Sequence, residues 1–155
     1  MKVNKLTDLM NSELIAEDLK GKSQDEVMNE MIELFSREKT VASSEGFKKA
    51  LIARERISTT GIGNEIAMPH GKSDSVKESR VAFGISRDGV EWKSLDGSLV
   101  KLIFMIAEPV ESKGVVQLDI LKLLSGKLRN SEFREKLLAA KSKEEAFQLL
   151  EQIED

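Results

Sequence analysis

Residues 99–107 read LVKLIFMIA, apolar at every position except Lys101. No alternation interrupts the run, which marks a strand buried on both faces in the middle of a sheet. Such a strand needs covering layers on both sides, and the rest of the chain offers helices for them. Ser23-Gln24-Asp25-Glu26 is a capping box. It opens a predicted helix with apolar residues at Val27, Met31, Leu34 and Phe35, ending near Lys39. A second helix is predicted over residues 44–57, with a stripe at Phe47, Ala50 and Leu51. From Glu111 onward the spacing is helical: 115–129 with Leu121, Leu124 and Leu128 on one stripe, then 131–140. A last helix opens on the box Ser142 to Glu145 and turns Ala146, Leu149, Leu150 and Ile153 inward.

Shorter strands are predicted around residues 14–19, at 65–68, at 80–86 and at 90–92. Thr59 to Asn64 reads as a turn, because Gly61 and Gly63 reach conformations closed to other residues. Pro69-His70-Gly71 ends the strand at 65–68, residues 72–79 form a polar loop, and Arg87-Asp88-Gly89 reads as a hairpin turn. The fold class is α/β of an α+β-like kind: a single domain over 1–155, with a mixed β-sheet flanked by helices. Met1 and the capped last helix suggest a free-standing domain.

Composition excludes several functions. The chain has no Cys and one His, so disulfides, thiolate chemistry and a His-rich zinc site are out. A net charge of −3 gives no footprint for nucleic acid. The longest stretch free of Asp, Glu, Lys and Arg is eight residues, 57–64, against the roughly 20 apolar residues of a membrane span. With no signal-peptide pattern at the N-terminus, a cytoplasmic location is expected. Neither a dinucleotide fingerprint, a phosphate-binding P-loop nor a nucleophile elbow is present.

Three residues break the local patterns. His70 follows Pro69 at the end of a short strand, a rigid place to mount a reactive group, and its neutral imidazole is a competent nucleophile toward phosphorus. The same position also suits a hydrogen-bonded structural His. Arg54 continues the apolar stripe of the second helix, three residues after Leu51. It either snorkels to solvent or points at an anion beside the following turn. Arg56 faces elsewhere. Gln117 begins the stripe that runs to Leu121, Leu124 and Leu128, and is either a half-buried hydrogen-bonding residue or part of a site at the sheet's edge.

The stretch from Arg54-Glu55-Arg56 through Thr60-Gly61-Ile62-Gly63 to Ile66-Ala67-Met68-Pro69-His70 resembles the signature of a family. These are the IIA domains of the bacterial phosphoenolpyruvate-dependent sugar phosphotransferase system, in the fructose, mannitol and nitrogen-related class. The resemblance continues through Ser94-Leu95-Asp96-Gly97, residues 100–107 and the helix at Gln117. The LIFMIA strand and the Leu-Asp-Gly turn favour the fructose branch.

The resemblance implies that His70 takes a phosphoryl group from the phosphohistidine of the carrier HPr and passes it to the Cys of a IIB domain. That domain then serves sugar uptake through a membrane IIC component. His70 and Arg54 would be the catalytic pair, with Thr60, Gly61, Gly63 and Gln117 around the phosphoryl group. Backbone N–H groups of residues 60–63 would add donors. No metal or cofactor is expected, and neither nucleic acid nor direct membrane insertion. The family places a second His at the position of Gln117 and prefers Gly at the position of Glu65. Partner contacts are expected near Ile62, Met68 and Gln117. The alternative reading is a regulatory module whose phosphorylation state at His70 controls binding to partner proteins.

Overall fold

A computed structural model describes residues 2–155, and Met1 lies outside them. Strand β1 (Ile15–Ala16) follows two short 3₁₀ turns. Helices α1 (Gln24–Arg37) and α2 (Ser44–Ile57) come next, then strands β2 (Gly61–Gly63), β3 (Ile66–Ala67), β4 (His70–Lys72), β5 (Arg80–Val90) and β6 (Val100–Glu108). Helices α3 (Val115–Lys127), α4 (Ser131–Leu138) and α5 (Lys143–Leu150) complete the chain.

β6 is the centre of a mixed sheet. It pairs antiparallel with β5 on one side and parallel with β3 and then β4 on the other. β1 extends the sheet beyond β5, and β2 beyond β3. Both faces of β6 are buried, as its composition requires. Leu102, Phe104 and Ile106 join the layer built with α3, α4 and α5. Ile103, Met105 and Ala107 join the layer built with α1 and α2. Phe104 packs on its register partner Phe83 at 4.8 Å between ring centroids, and Phe35 meets Phe47 edge-on between α1 and α2.

The helix starts follow their caps. Ser23 and Ser142 each accept a hydrogen bond from the third helical N–H, at 3.2 and 3.1 Å, an interaction worth about 1 kcal/mol. The returning carboxylates of Glu26 and Glu145 reach one residue further back than a capping box requires, to the N–H groups of Lys22 and Lys141.

Four expectations are corrected. The strand near residues 14–19 is only Ile15–Ala16, set by parallel pairing with Phe83 and Gly84 rather than by its own pattern. Residues 61–63 are not a turn but strand β2, hairpinned onto β3. The turn is Asn64-Glu65, both at positive φ (55° and 67°), the conformation of a tight two-residue hairpin. This explains why glycine suits the place of Glu65. Glu65 instead lies half-buried at this position, its carboxylate 3.4 Å from Lys101.

Arg87-Asp88-Gly89 does not reverse the chain. β5 runs on to Val90 with a register shift between Ile85 and Val90, so the positive φ of Gly89 (83°) serves a bulge. The separate strand at 90–92 is therefore absent, and the reversal falls between Val90 and Val100. Finally, the buried stripe of α3 is Ile120, Leu123 and Leu124, continued by Leu128, with Leu121 half-buried. The helix is rotated slightly from its predicted facing, because Ile120 and Leu124 fill the layer beside Ile106.

Candidate functional site

β3 and β4 lie end to end along the same edge of β6. Pro69 interrupts them, yet its carbonyl still accepts from the Ile106 N–H at 2.9 Å. A proline has no N–H to give a ladder, so the break falls there and the strand resumes at His70. His70 thus opens a strand rather than following one, a further correction. Behind it, Gly71 lies against α2: a Cβ at this position would sit 3.2 Å from both the Ala50 Cβ and the Leu51 backbone N. The bare backbone of β4 lets α2 approach closely, and α2 carries Arg54 one turn further on.

His70 is buried, at 8% exposure. Its Nδ1 lies 2.9 Å from the Met68 carbonyl, and its Nε2 lies 3.1 Å from Nε of Arg54. A guanidinium N–H can only donate, so Nε2 is the acceptor and the ring proton sits on Nδ1, donated to Met68. Burial pushes the His70 pKa below its ordinary value of 6.5. The Met68 hydrogen bond pulls it back up, the Arg54 charge pushes it down, and the charges of Glu108 and Glu55 raise it. The imidazole is therefore held neutral at neutral pH, with its lone pair at Nε2 facing a guanidinium.

Arg54 neither snorkels freely nor stands apart from His70. It is half-buried, and its Nη1 donates to the Ser58 carbonyl at 2.8 Å. Among the described residues Nη2 donates to no acceptor, which leaves an N–H₂ group at the site for an incoming oxyanion. Arg56 is exposed, as expected.

The amides of Thr60 and Gly61 serve differently from the expectation. The Thr60 N–H donates to Glu55 Oε2 at 2.7 Å, and its hydroxyl donates to Glu55 Oε1 at 2.6 Å while accepting from Trp92 Nε1 at 3.0 Å. The Gly61 N–H is taken by Thr59 Oγ1 at 3.0 Å. These two amides are engaged inside the protein and do not stand open as donors to a phosphoryl group. The glycines matter for another reason. A Cβ on Gly61 would meet Ser94 Oγ at 2.6 Å, and one on Gly63 (φ 99°) would meet Asp96 Oδ2 at 3.1 Å. Both let the turn at Ser94 to Gly97 lie against β2. Gln117 is half-buried in the first turn of α3 and makes no hydrogen bond with His70 among the described residues.

Four groups around the site have no place in the sequence expectation: the Met68 carbonyl, Glu55, Trp92 and Glu108. Glu55 had a signal, since it adjoins Arg54. Glu108 had one too, an acidic residue ending a buried strand.

Residues 8–153 match the family model described as phosphoenolpyruvate-dependent sugar phosphotransferase system, EIIA 2. The chain belongs to this family, as its fold and its imidazole–guanidinium pair had suggested. It is 36% identical over 148 residues to the fructose-specific EIIABC component of Bacillus subtilis, covering 96% of this chain and 23% of that protein. It is 40% identical over 104 residues to the fructose-specific EIIA component of Haloferax volcanii, covering 67% of each. The crystal structure of nitrogen regulatory protein IIA-Ntr from Neisseria meningitidis superposes with a TM-score of 0.83 at 31% identity, over 92% of this chain and 97% of that one. No helix among the described residues is long and apolar enough to cross a membrane.

Proposed function

We propose that this chain is a phosphocarrier of a sugar phosphotransferase system, with His70 as the residue that carries the phosphoryl group. The observation that supports this most is the state of the imidazole: neutral, its proton fixed on Nδ1 by the Met68 carbonyl, its Nε2 lone pair presented beside a guanidinium. Phosphoryl transfer needs positioning and charge stabilisation above all. In the reaction proposed, Nε2 attacks the phosphorus of the phosphohistidine of HPr in line, and the donor's N–P bond breaks with its electron pair returning to the donor ring. Arg54 leaves Nε2 and turns its N–H groups to the phosphoryl oxygens. The second step hands the group to the Cys of a IIB component, since these 155 residues contain no Cys. Likeness to a fructose-specific EIIABC component supports a transport role, with IIB and a membrane IIC as the next parts of the route.

The test is incubation with phosphoenolpyruvate, enzyme I and HPr. Acid-labile phosphate is expected on His70 of the wild type and none on His70→Ala. Equal labelling of the variant would overturn the assignment. A regulatory role, in which phosphorylated His70 governs partner binding, is favoured by the likeness to IIA-Ntr. Transfer of the label to the Cys of a cognate IIB separates the two, because a purely regulatory module would retain it.

A further inference from the structure

Glu108 closes β6 and is 1% exposed. Alternation along the strand puts it on the face that carries Leu102, Phe104 and Ile106. His70 is the register partner of Ile106, and Lys72 of Glu108. His70 and Glu108 are therefore diagonal neighbours on one face of a parallel pair of strands, two residues apart in register. Ser112 donates to Glu108 Oε2 at 2.7 Å, while Oε1 is buried with no hydrogen-bond partner. The other side chains in this row of β6 are apolar, so packing asks for no charge here. A buried carboxylate with an unpaired oxygen is costly, and such a group points to a role beyond structure.

The charged groups around the His70 ring are few. α2 contributes Arg54 and Glu55, and β6 contributes Glu108. Both oxygens of Glu55 are held by Thr60. The first turn of α3, Val115 to Leu118, has no titratable side chain. Lys72 is exposed and forms no ion pair with Glu108 among the described residues. Glu108 is the one carboxylate in this set with an oxygen left uncommitted.

We propose that Glu108 is a positioning residue for His70, its buried carboxylate holding the ring proton on Nδ1 while Nε2 gains and gives up the phosphoryl group. The inference rests on the phosphocarrier reading. When Nε2 uses its lone pair to form the new N–P bond, the ring keeps the Nδ1 proton and becomes cationic. When that bond breaks toward the next acceptor, the pair returns to Nε2 and a neutral imidazole is left. Were the proton lost from the phosphorylated ring, the leaving group would be an imidazolate, a far poorer one. A negative charge on the same face opposes that loss. Arg54 favours the loss, so the two charges act on the ring in opposite senses.

Glu108→Gln keeps the shape and the acceptor for Ser112 while removing the charge. The protein is phosphorylated with phosphoramidate, and the ring is followed by ¹⁵N NMR, where its single His gives an unambiguous signal. In the variant the ring proton of the phosphorylated His70 is expected to leave at lower pH than in the wild type. Back-transfer to unphosphorylated HPr is expected to match the wild type at pH 6 and to be about three- to tenfold slower above pH 8. Glu108→Asp restores the charge and should recover most of that loss. An unchanged ring titration and pH profile in Glu108→Gln would overturn the proposal. If that variant fails to fold, the wild-type Glu108 carboxyl ¹³C resonance decides. It should step at the midpoint of the ring titration, and a flat trace would overturn the proposal equally. The same titration on unphosphorylated protein tests the coupling without HPr, whereas failure of HPr to label wild-type His70 would sink the phosphocarrier reading alone.

Discussion

The Nε of Arg54 donates to the Nε2 of His70 at 3.1 Å, so the guanidinium caps the lone pair that would attack phosphorus. With Nε2 so engaged, the transfer proposed above would require Arg54 to exchange the ring nitrogen for an oxyanion. Its second anchor is the Ser58 carbonyl, which accepts from Nη1 at 2.8 Å.

Arg54→Lys tests this arrangement. An ammonium has the charge but not the planar fork, and it cannot serve Ser58 and the phosphoryl oxygens together. Losing a charge-assisted hydrogen bond of about 1.5–3 kcal/mol predicts phosphoryl acceptance slower by about 10- to 100-fold. Because Arg54 is half-buried and lies outside both apolar layers, the thermal midpoint should hardly move. A large fall in midpoint with unchanged transfer would assign Arg54 a structural role instead.

Stability should depend on pH through His70. Its folded pKa lies below the ordinary 6.5 because burial disfavours the cation. Between the two values the unfolded chain binds more protons than the folded one, so stability rises with pH there. The contribution is complete above about 6.5 and is lost as pH falls from 6.5 through the lower folded value. Urea unfolding of wild type and His70→Asn from pH 7.5 down to 5 checks this: the wild type should lose more stability on acidification. Parallel curves would contradict the burial argument.

Thr60→Val removes one hydroxyl from a fully engaged position. Trp92 Nε1 loses a buried partner and Glu55 Oε1 a half-buried one. The expected loss of stability is about 1–3 kcal/mol, read as a lower urea midpoint at unchanged slope. Trp92 is the only tryptophan, so its fluorescence reports the local change directly. A midpoint within error of the wild type would mean that the Glu55–Thr60–Trp92 chain contributes nothing net.

Sequence legibility followed the size of each signal. β6 and the helices carry their own pattern over eight residues or more, and caps at Ser23 and Ser142 mark two of the starts. β1 and β3 have two residues each, and β2 and β4 three. Such strands exist because a long neighbour pairs with them, and no local periodicity announces that. Asp88-Gly89 carried a true signal for positive φ, but whether a bulge or a hairpin used it depended on the register of β5 against β6. At the site, His70 and Arg54 stood out as polar residues where the pattern asked for something else. Their direct bond was hidden, because it depends on how α2 docks on β4. No local pattern marks Glu108 as buried, yet the sheet leaves it 1% exposed.

The glycine behind His70 has a consequence for how this site tolerates change. With no side chain at Gly71, α2 comes down on β4 with only the Ala50 methyl and the main chain of residues 50 and 51 against it. The proposed reactive pair is thereby mounted on two backbones spaced by one methyl group, so a larger side chain at Gly71 or Ala50 would push α2, and Arg54 with it, away from His70.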